Sequence, residues 1–162
     1  MKKLFHILVI LFSISLNGQS IKKLLKKHNT ESVAYASVEM TKANPNSVLL
    51  DARELKEFKV SHLKNAIHVG YDYFDLEKTT SKLADKNTMI VVYCSIGIRS
   101  EDIAEKLQKA GYKNVFNLFG GIFEWKNKQN IVVDSLNNPT EKVHTFSKEW
   151  SLWLKKGIRV YK

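Results

Sequence analysis

From Val33 onward, short apolar runs alternate with segments whose apolar residues recur at helical spacing. That alternation predicts an α/β fold. Met89-Ile90-Val91-Val92-Tyr93 is the strongest strand, apolar throughout and rich in β-branching. A run without polar alternation is buried on both faces, as in the middle of a parallel sheet. Val48-Leu49-Leu50, Ala66 to Val69 and Val115-Phe116-Asn117-Leu118 read as further strands. Glu54 to Val60 fits a short helix with Leu55 and Phe58 on one side, and Tyr71 to Leu83 reads as short helical pieces. A clear amphipathic helix carries Ile103, Ala104, Leu107 and Ala110 on one face and stops at Gly111. Gly120-Gly121 turns the chain into a short helix carrying Trp125. Beyond the loop Asn137-Asn138-Pro139, the spacing predicts one helix over Lys142 to Lys156, with Phe146, Trp150, Trp153 and Leu154 packed against the domain.

The first twenty residues follow a different pattern. Met1-Lys2-Lys3 is positive, Leu4 to Leu16 is apolar apart from His6, Ser13 and Ser15, and Asn17-Gly18-Gln19-Ser20 is small and polar. This is the three-part layout of a secretory signal peptide, and its apolar stretch is shorter than the roughly 20 residues of a membrane-spanning helix. The expected organisation is a signal peptide over 1–20, a basic segment over 21–32, the main α/β domain over 33–133 and a helical extension over 134–162. Export, with the periplasm as the expected compartment, follows from that reading, and no stable membrane anchor is expected.

The net charge of +10 is partly local, in Ile21-Lys22-Lys23-Leu24-Leu25-Lys26-Lys27-His28. Such a run keeps a protein soluble and steers small anions. No interleaving of aromatic and basic residues supports nucleic-acid binding. Cysteine content changes the picture more. With 1 cysteine in 162 residues, neither an internal disulfide nor a multi-cysteine metal site can form.

That cysteine, Cys94, stands where the central strand ends and the loop Cys94-Ser95-Ile96-Gly97-Ile98-Arg99-Ser100 leads into the amphipathic helix. In open parallel sheets, ligands bind at the carboxyl ends of the strands. A loop closing onto a helix N-terminus turns backbone N–H groups inward and adds the positive end of the helix dipole. Gly97 permits the sharp path, and Arg99 adds a permanent charge suited to oxyanions. A thiol so placed favours the nucleophilic thiolate. The competing reading is a small buried cysteine ending a core strand.

Three separated motifs then resemble the rhodanese family. Leu50-Asp51-Ala52-Arg53-Glu54 with Glu57-Phe58, Ser61-His62-Leu63 and Ala66-Ile67 is similar to its first signature. The loop from Cys94 to Ser100 is similar to its active-site loop. Gly111-Tyr112, Val115 and Leu118 followed by Gly120-Gly121-Ile122 and Trp125 resemble its closing signature. The resemblance implies a three-layer α/β/α fold around a five-stranded parallel sheet, and transfer of sulfane sulfur through a cysteine persulfide. It makes Cys94 the catalytic residue and gives Ser95, Ile96, Gly97, Ile98 and Arg99 to the substrate. Asp51, Arg53, His62 and Ser100 support the loop, His62 as a hydrogen-bonded structural histidine and Glu57 as a surface residue or ion-pair partner.

Four residues lie between Cys94 and Arg99, the loop length of the sulfurtransferase branch. The related phosphatases and arsenate reductases enclose one more. Ser61 stands where the family usually has glycine, and Ile96 and Ile98 make the loop unusually apolar, which suggests a donor bulkier or less charged than thiosulfate. Expected partners are a small sulfur-containing anion or persulfide as donor, and cyanide, a thiol or a partner protein's cysteine as acceptor. No metal or organic cofactor is required. A non-catalytic binding module, a persulfide carrier and a phosphatase or arsenate reductase are the alternative readings.

Overall fold

The computed structural model describes residues 20–83 and 85–161. The expected signal peptide lies outside them, save Ser20. Five strands form one sheet: β1 (Tyr35–Ala36), β2 (Val48–Asp51), β3 (Ile67–His68), β4 (Ile90–Tyr93) and β5 (Val115–Leu118). Their order is β1-β5-β4-β2-β3, with all pairs parallel. The run singled out by its unbroken apolarity is therefore the middle strand, and all four residues of β4 are buried.

Six helices accompany the sheet: α1 (Ile21–His28), α2 (Val38–Ala43), α3 (Leu55–Val60), α4 (Leu76–Thr80), α5 (Arg99–Lys109) and α6 (Gly121–Asn127). Side chains of a strand alternate between faces, so β4 feeds two separate cores. Val91 and Tyr93 pack with Leu25 of α1, Ile122 and Phe123 of α6, and Val143 and Leu154 near the C-terminus. Ile90 and Val92 pack on the other face with Ile103, Ala104 and Leu107 of α5. The sheet thus lies between two helical layers. The basic run becomes α1, capped by the Ser20 hydroxyl, which accepts from the Lys23 N–H at 3.2 Å. Leu25 anchors α1 in the core while its lysines face water.

Two elements depart from the sequence pattern. The helix expected over Lys142 to Lys156 is replaced by β8 (Lys142–His144), α7 (Lys148–Ser151) and β9 (Ile158–Val160), after a small hairpin of β6 (Val132–Val133) and β7 (Pro139–Thr140). The C-terminal extension is therefore not one helix. β8 and β9 pair in parallel, Val143 opposite Arg159, and a parallel pair needs a connection of about a dozen residues. The segment holding α7 supplies it, and Phe146 interrupts any continuous helix with a left-handed φ of 64°. Second, α3 turns the other way from its apolar pattern: Leu55 is exposed and Glu57 is fully buried. A carboxylate is buried so deeply only when paired.

Candidate active site

Cys94 directly follows β4, and α5 begins at Arg99, so the loop spans the gap between the central strand and its helix. The loop's outer carbonyls are tied down first. Cys94 O accepts from the Ile122 N–H at 2.9 Å, and Ser95 O from the Phe123 N–H at 3.1 Å. Gly97 O accepts from the side-chain amides of Asn29 and Asn117, both at 2.8 Å. With the carbonyls held away, the Gly97 N–H points at Cys94 Sγ, 3.1 Å off. Gly97 has φ 117°, a conformation side chains rarely adopt.

Ser100 lies 3.5 Å from the same sulfur, its single hydroxyl proton shared with Asn117 Oδ1 at 2.7 Å. Burial pushes the Cys94 thiol up, but the Arg99 charge, Ser100 and the Gly97 amide outweigh it and leave the thiol below its ordinary value. Thiolate is the attacking form. The thiolate fraction of Cys94 should therefore rise with pH through a midpoint lower than that of a free thiol. Removing the positive charge in Arg99→Gln should move that midpoint upward. Thiolate ultraviolet absorbance checks both, because Cys94 is the chain's sole cysteine; an unmoved midpoint would assign the effect to the loop amides alone.

Arg99 is not a free anion receptor. Its two terminal nitrogens donate to the two carboxylate oxygens of Glu57, at 2.8 and 2.9 Å. One also reaches the Ser95 hydroxyl at 3.2 Å. Burial pushes the Glu57 carboxyl up, but the paired hydrogen bonds from Arg99 more than compensate and keep it ionised. Glu57 donates nothing to substrate; it balances Arg99's charge and fixes the plane of its guanidinium.

Asp51 and Arg53 form a second, wholly buried pair behind the loop. Arg53 Nη2 donates to Asp51 Oδ2 and to Ser61 O, both at 2.6 Å, joining β2 to the end of α3. His62 Nδ1 lies 3.0 Å from Phe58 O, its ring stacks on Phe58 at 3.8 Å, and its backbone bonds to Val133. None of these three lines the pocket over the cysteine. That pocket, about 180 Å³, is walled by Cys94, Ser95, Ile96, Ile98, Arg99, Phe146 and Trp150. Gly97 stands behind the sulfur, against Leu25, Asn117 and Leu118.

Asn29, Asn117, Phe146 and Trp150 were not among the residues expected to build the site. Asn117 had a visible signal, a lone polar residue inside an apolar strand. Phe146 and Trp150 had none, since their spacing fits a helix face equally well. Gly121 closes the assembly: a Cβ there would sit 2.3 Å from Cys94 O and 2.7 Å from Ser95 C. Gly121→Ala should cost about 1–3 kcal/mol through overpacking and distort the loop. A lowered urea midpoint together with a shifted Cys94 thiolate midpoint is the expected result, and an unchanged thiolate midpoint would show that the loop tolerates the shift.

Comparison with known proteins agrees with this geometry. Residues 32–128 match the model of the rhodanese-like domain, more than half of the chain. The chain belongs to the rhodanese-like family. The fold is shared with a rhodanese-related protein from Thermoplasma volcanium, 24% identical with a TM-score of 0.53, covering 62% of this chain and 97% of that one. It is shared also with thiosulfate sulfurtransferase from Pseudomonas aeruginosa, 24% identical with a TM-score of 0.57, covering 63% and 20%. At that identity the likeness concerns the fold alone. Among curated relatives, the tRNA uridine(34) hydroxylase of Photorhabdus laumondii is 39% identical over 88 residues, 52% of this chain and 25% of that protein. The chain spans about a quarter of that relative's length. Phe146 and Trp150 lie beyond the region matched by the rhodanese-like model.

Among the described residues, no group of three or more His, Cys, Asp or Glu could hold a metal ion, and no helix is long and apolar enough to cross a membrane.

Proposed function

We propose that this rhodanese-like protein is a sulfurtransferase that carries sulfane sulfur on Cys94. The observation that carries the reading is the Cys94 sulfur held 3.1 Å from the Gly97 amide at the mouth of a six-residue loop ending in Arg99. The Cys94 thiolate attacks the outer sulfur of a donor such as thiosulfate or a persulfide. The new S–S bond forms as the donor's S–S bond breaks, and the leaving group (sulfite from thiosulfate, a thiolate from a persulfide) takes the electron pair. The anionic persulfide then faces the inward loop amides and the positive end of α5, which stabilise it. Cyanide, a thiol or a partner's cysteine removes the outer sulfur and regenerates the Cys94 thiolate.

A phosphatase reading is disfavoured by the shorter loop, and also because both terminal nitrogens of Arg99 are taken by Glu57. The tRNA-directed activity named for the hydroxylases belongs to chains of which this one spans a quarter. A small donor suits the present pocket better, since its walls are mostly apolar and its single cation is already paired. Nucleic-acid binding rests on several unpaired cations meeting phosphates. As part of the same proposal, residues 1–20 direct the chain out of the cytoplasm, to the periplasm.

Incubation with thiosulfate followed by intact-mass measurement tests the chemistry. Gain of one sulfur atom, lost again on adding cyanide, is the expected result. A sulfur held but not discharged to cyanide would favour a carrier serving a partner protein. No gain from any donor would leave a binding module. The same mass fixes the N-terminus, and an envelope-fraction protein still beginning at Met1 would refute cleavage.

A further inference from the structure

We propose that Phe146 and Trp150, on the segment beyond the rhodanese-like match, are specificity residues that seat the apolar body of a small organic sulfur donor above Cys94. This rests on the sulfurtransferase reading and names the class of donor: an aryl or bulky alkyl thiosulfonate or persulfide, in preference to an inorganic dianion.

Three observations converge on that class. First, Ile96, Ile98, Phe146 and Trp150 line the same pocket as Cys94, and these side chains offer a donor apolar contact. Second, Arg99 is committed to Glu57 through two short bonds, so the guanidinium already has a carboxylate counter-charge and is a poorer receptor for a second negative charge on the donor. Third, the pocket volume of about 180 Å³ suits one ring, since an apolar cavity of about 150 Å³ accommodates benzene.

The segment is also built to hold the two rings in place. Phe146 sits at φ 64°, a strained conformation for a bulky residue. Its N–H donates to Nδ1 of the buried His144 at 3.1 Å. The turn places the ring 5.5 Å from the Arg99 guanidinium, a cation–π contact. Ser147 then caps α7, accepting from the Trp150 N–H at 3.4 Å. Trp150 in turn meets His28 of α1 edge-on at 6.4 Å. Phe146 remains 54% exposed, so its ring is open to contact with a ligand body lying on it.

The chemistry balances without an external oxidant or reductant. The Cys94 thiolate attacks the sulfane sulfur of a thiosulfonate, the sulfinate departs with the electron pair, and the Cys94 persulfide carries the remaining negative charge. The test compares benzenethiosulfonate with methanethiosulfonate, which share a headgroup and charge and differ in the body. Cyanide serves as acceptor, so kcat/KM for each donor reports the loading step. The wild-type protein should favour the aryl donor by about tenfold, within the range of two aromatic contacts. Phe146→Asn suits the left-handed backbone while removing the ring, and should shrink that ratio roughly two- to fivefold. Trp150→Ala should shrink it by a similar factor. Equal losses on both donors, or a ratio unmoved by either substitution, would overturn the proposal. Faster loading from thiosulfate than from the aryl donor would overturn it as well, while leaving the sulfurtransferase reading intact. Loading from none of the three donors would instead remove that reading and this one together.

Discussion

Cys94→Ser is expected to fold normally and to transfer no sulfur. The side chain is 2% exposed, and serine fills nearly the same volume while still accepting from the Gly97 N–H. Its hydroxyl is not ionised near neutral pH and cannot form a persulfide, so the two half-reactions lose their shared intermediate. Turnover should fall by at least a thousandfold, on the order seen when an enzyme loses its nucleophile. No mass of one added sulfur atom should appear after incubation with donor. The chain holds no second cysteine that could substitute. Retained turnover in this variant would mean that sulfur passes directly from donor to acceptor, and the covalent mechanism would be wrong.

The largest effect on stability should come from Arg53→Met. Arg53 and Asp51 are both fully buried, and the guanidinium also serves the Ser61 carbonyl. Taking away the cation leaves a carboxylate in the interior without its counter-charge, at a cost of about 3–5 kcal/mol. The double variant Asp51→Asn/Arg53→Met removes both charges and should recover much of that loss, because an ion pair replaced by apolar or neutral groups of similar size is often tolerated. Urea unfolding checks both, with the midpoint falling while the slope stays constant. If the double variant is no more stable than the single one, the hydrogen bonds to Ser61 and the local backbone, rather than the charge balance, hold this corner together.

The two predictions differ in how far they could be foreseen. The Cys94 loop was readable because its parts are adjacent in the chain: a buried strand, a glycine-containing turn and a helix, each with its own local signal. Asp51 and Arg53 are also neighbours, and their pairing needs only the turn after β2. Glu57 and Arg99 are separated by two strands and a helix, and nothing in the period of α3 indicates that its acidic face turns inward. The apolar residues of α3 favoured the opposite orientation, and a bidentate ion pair across the loop prevailed over them. Likewise Val143, Phe146 and Trp150 satisfy a helical spacing, yet β8 forms because Ile158 to Val160 folds back alongside it.

By itself, then, the sequence determined the α/β class, the central place of β4, and the position of the cysteine at the head of a short loop. These depend on hydrophobic period, on turn residues and on short-range spacing, all of which act within a few residues along the chain. Only the tertiary structure decided which charges meet Arg99, which asparagines hold the Gly97 carbonyl, and which aromatics roof the sulfur. Those contacts join α1, α3, β5 and the C-terminal segment across the domain. Their partners are chosen by three-dimensional packing and the need to satisfy buried polar groups, which leave no periodic trace in a linear sequence.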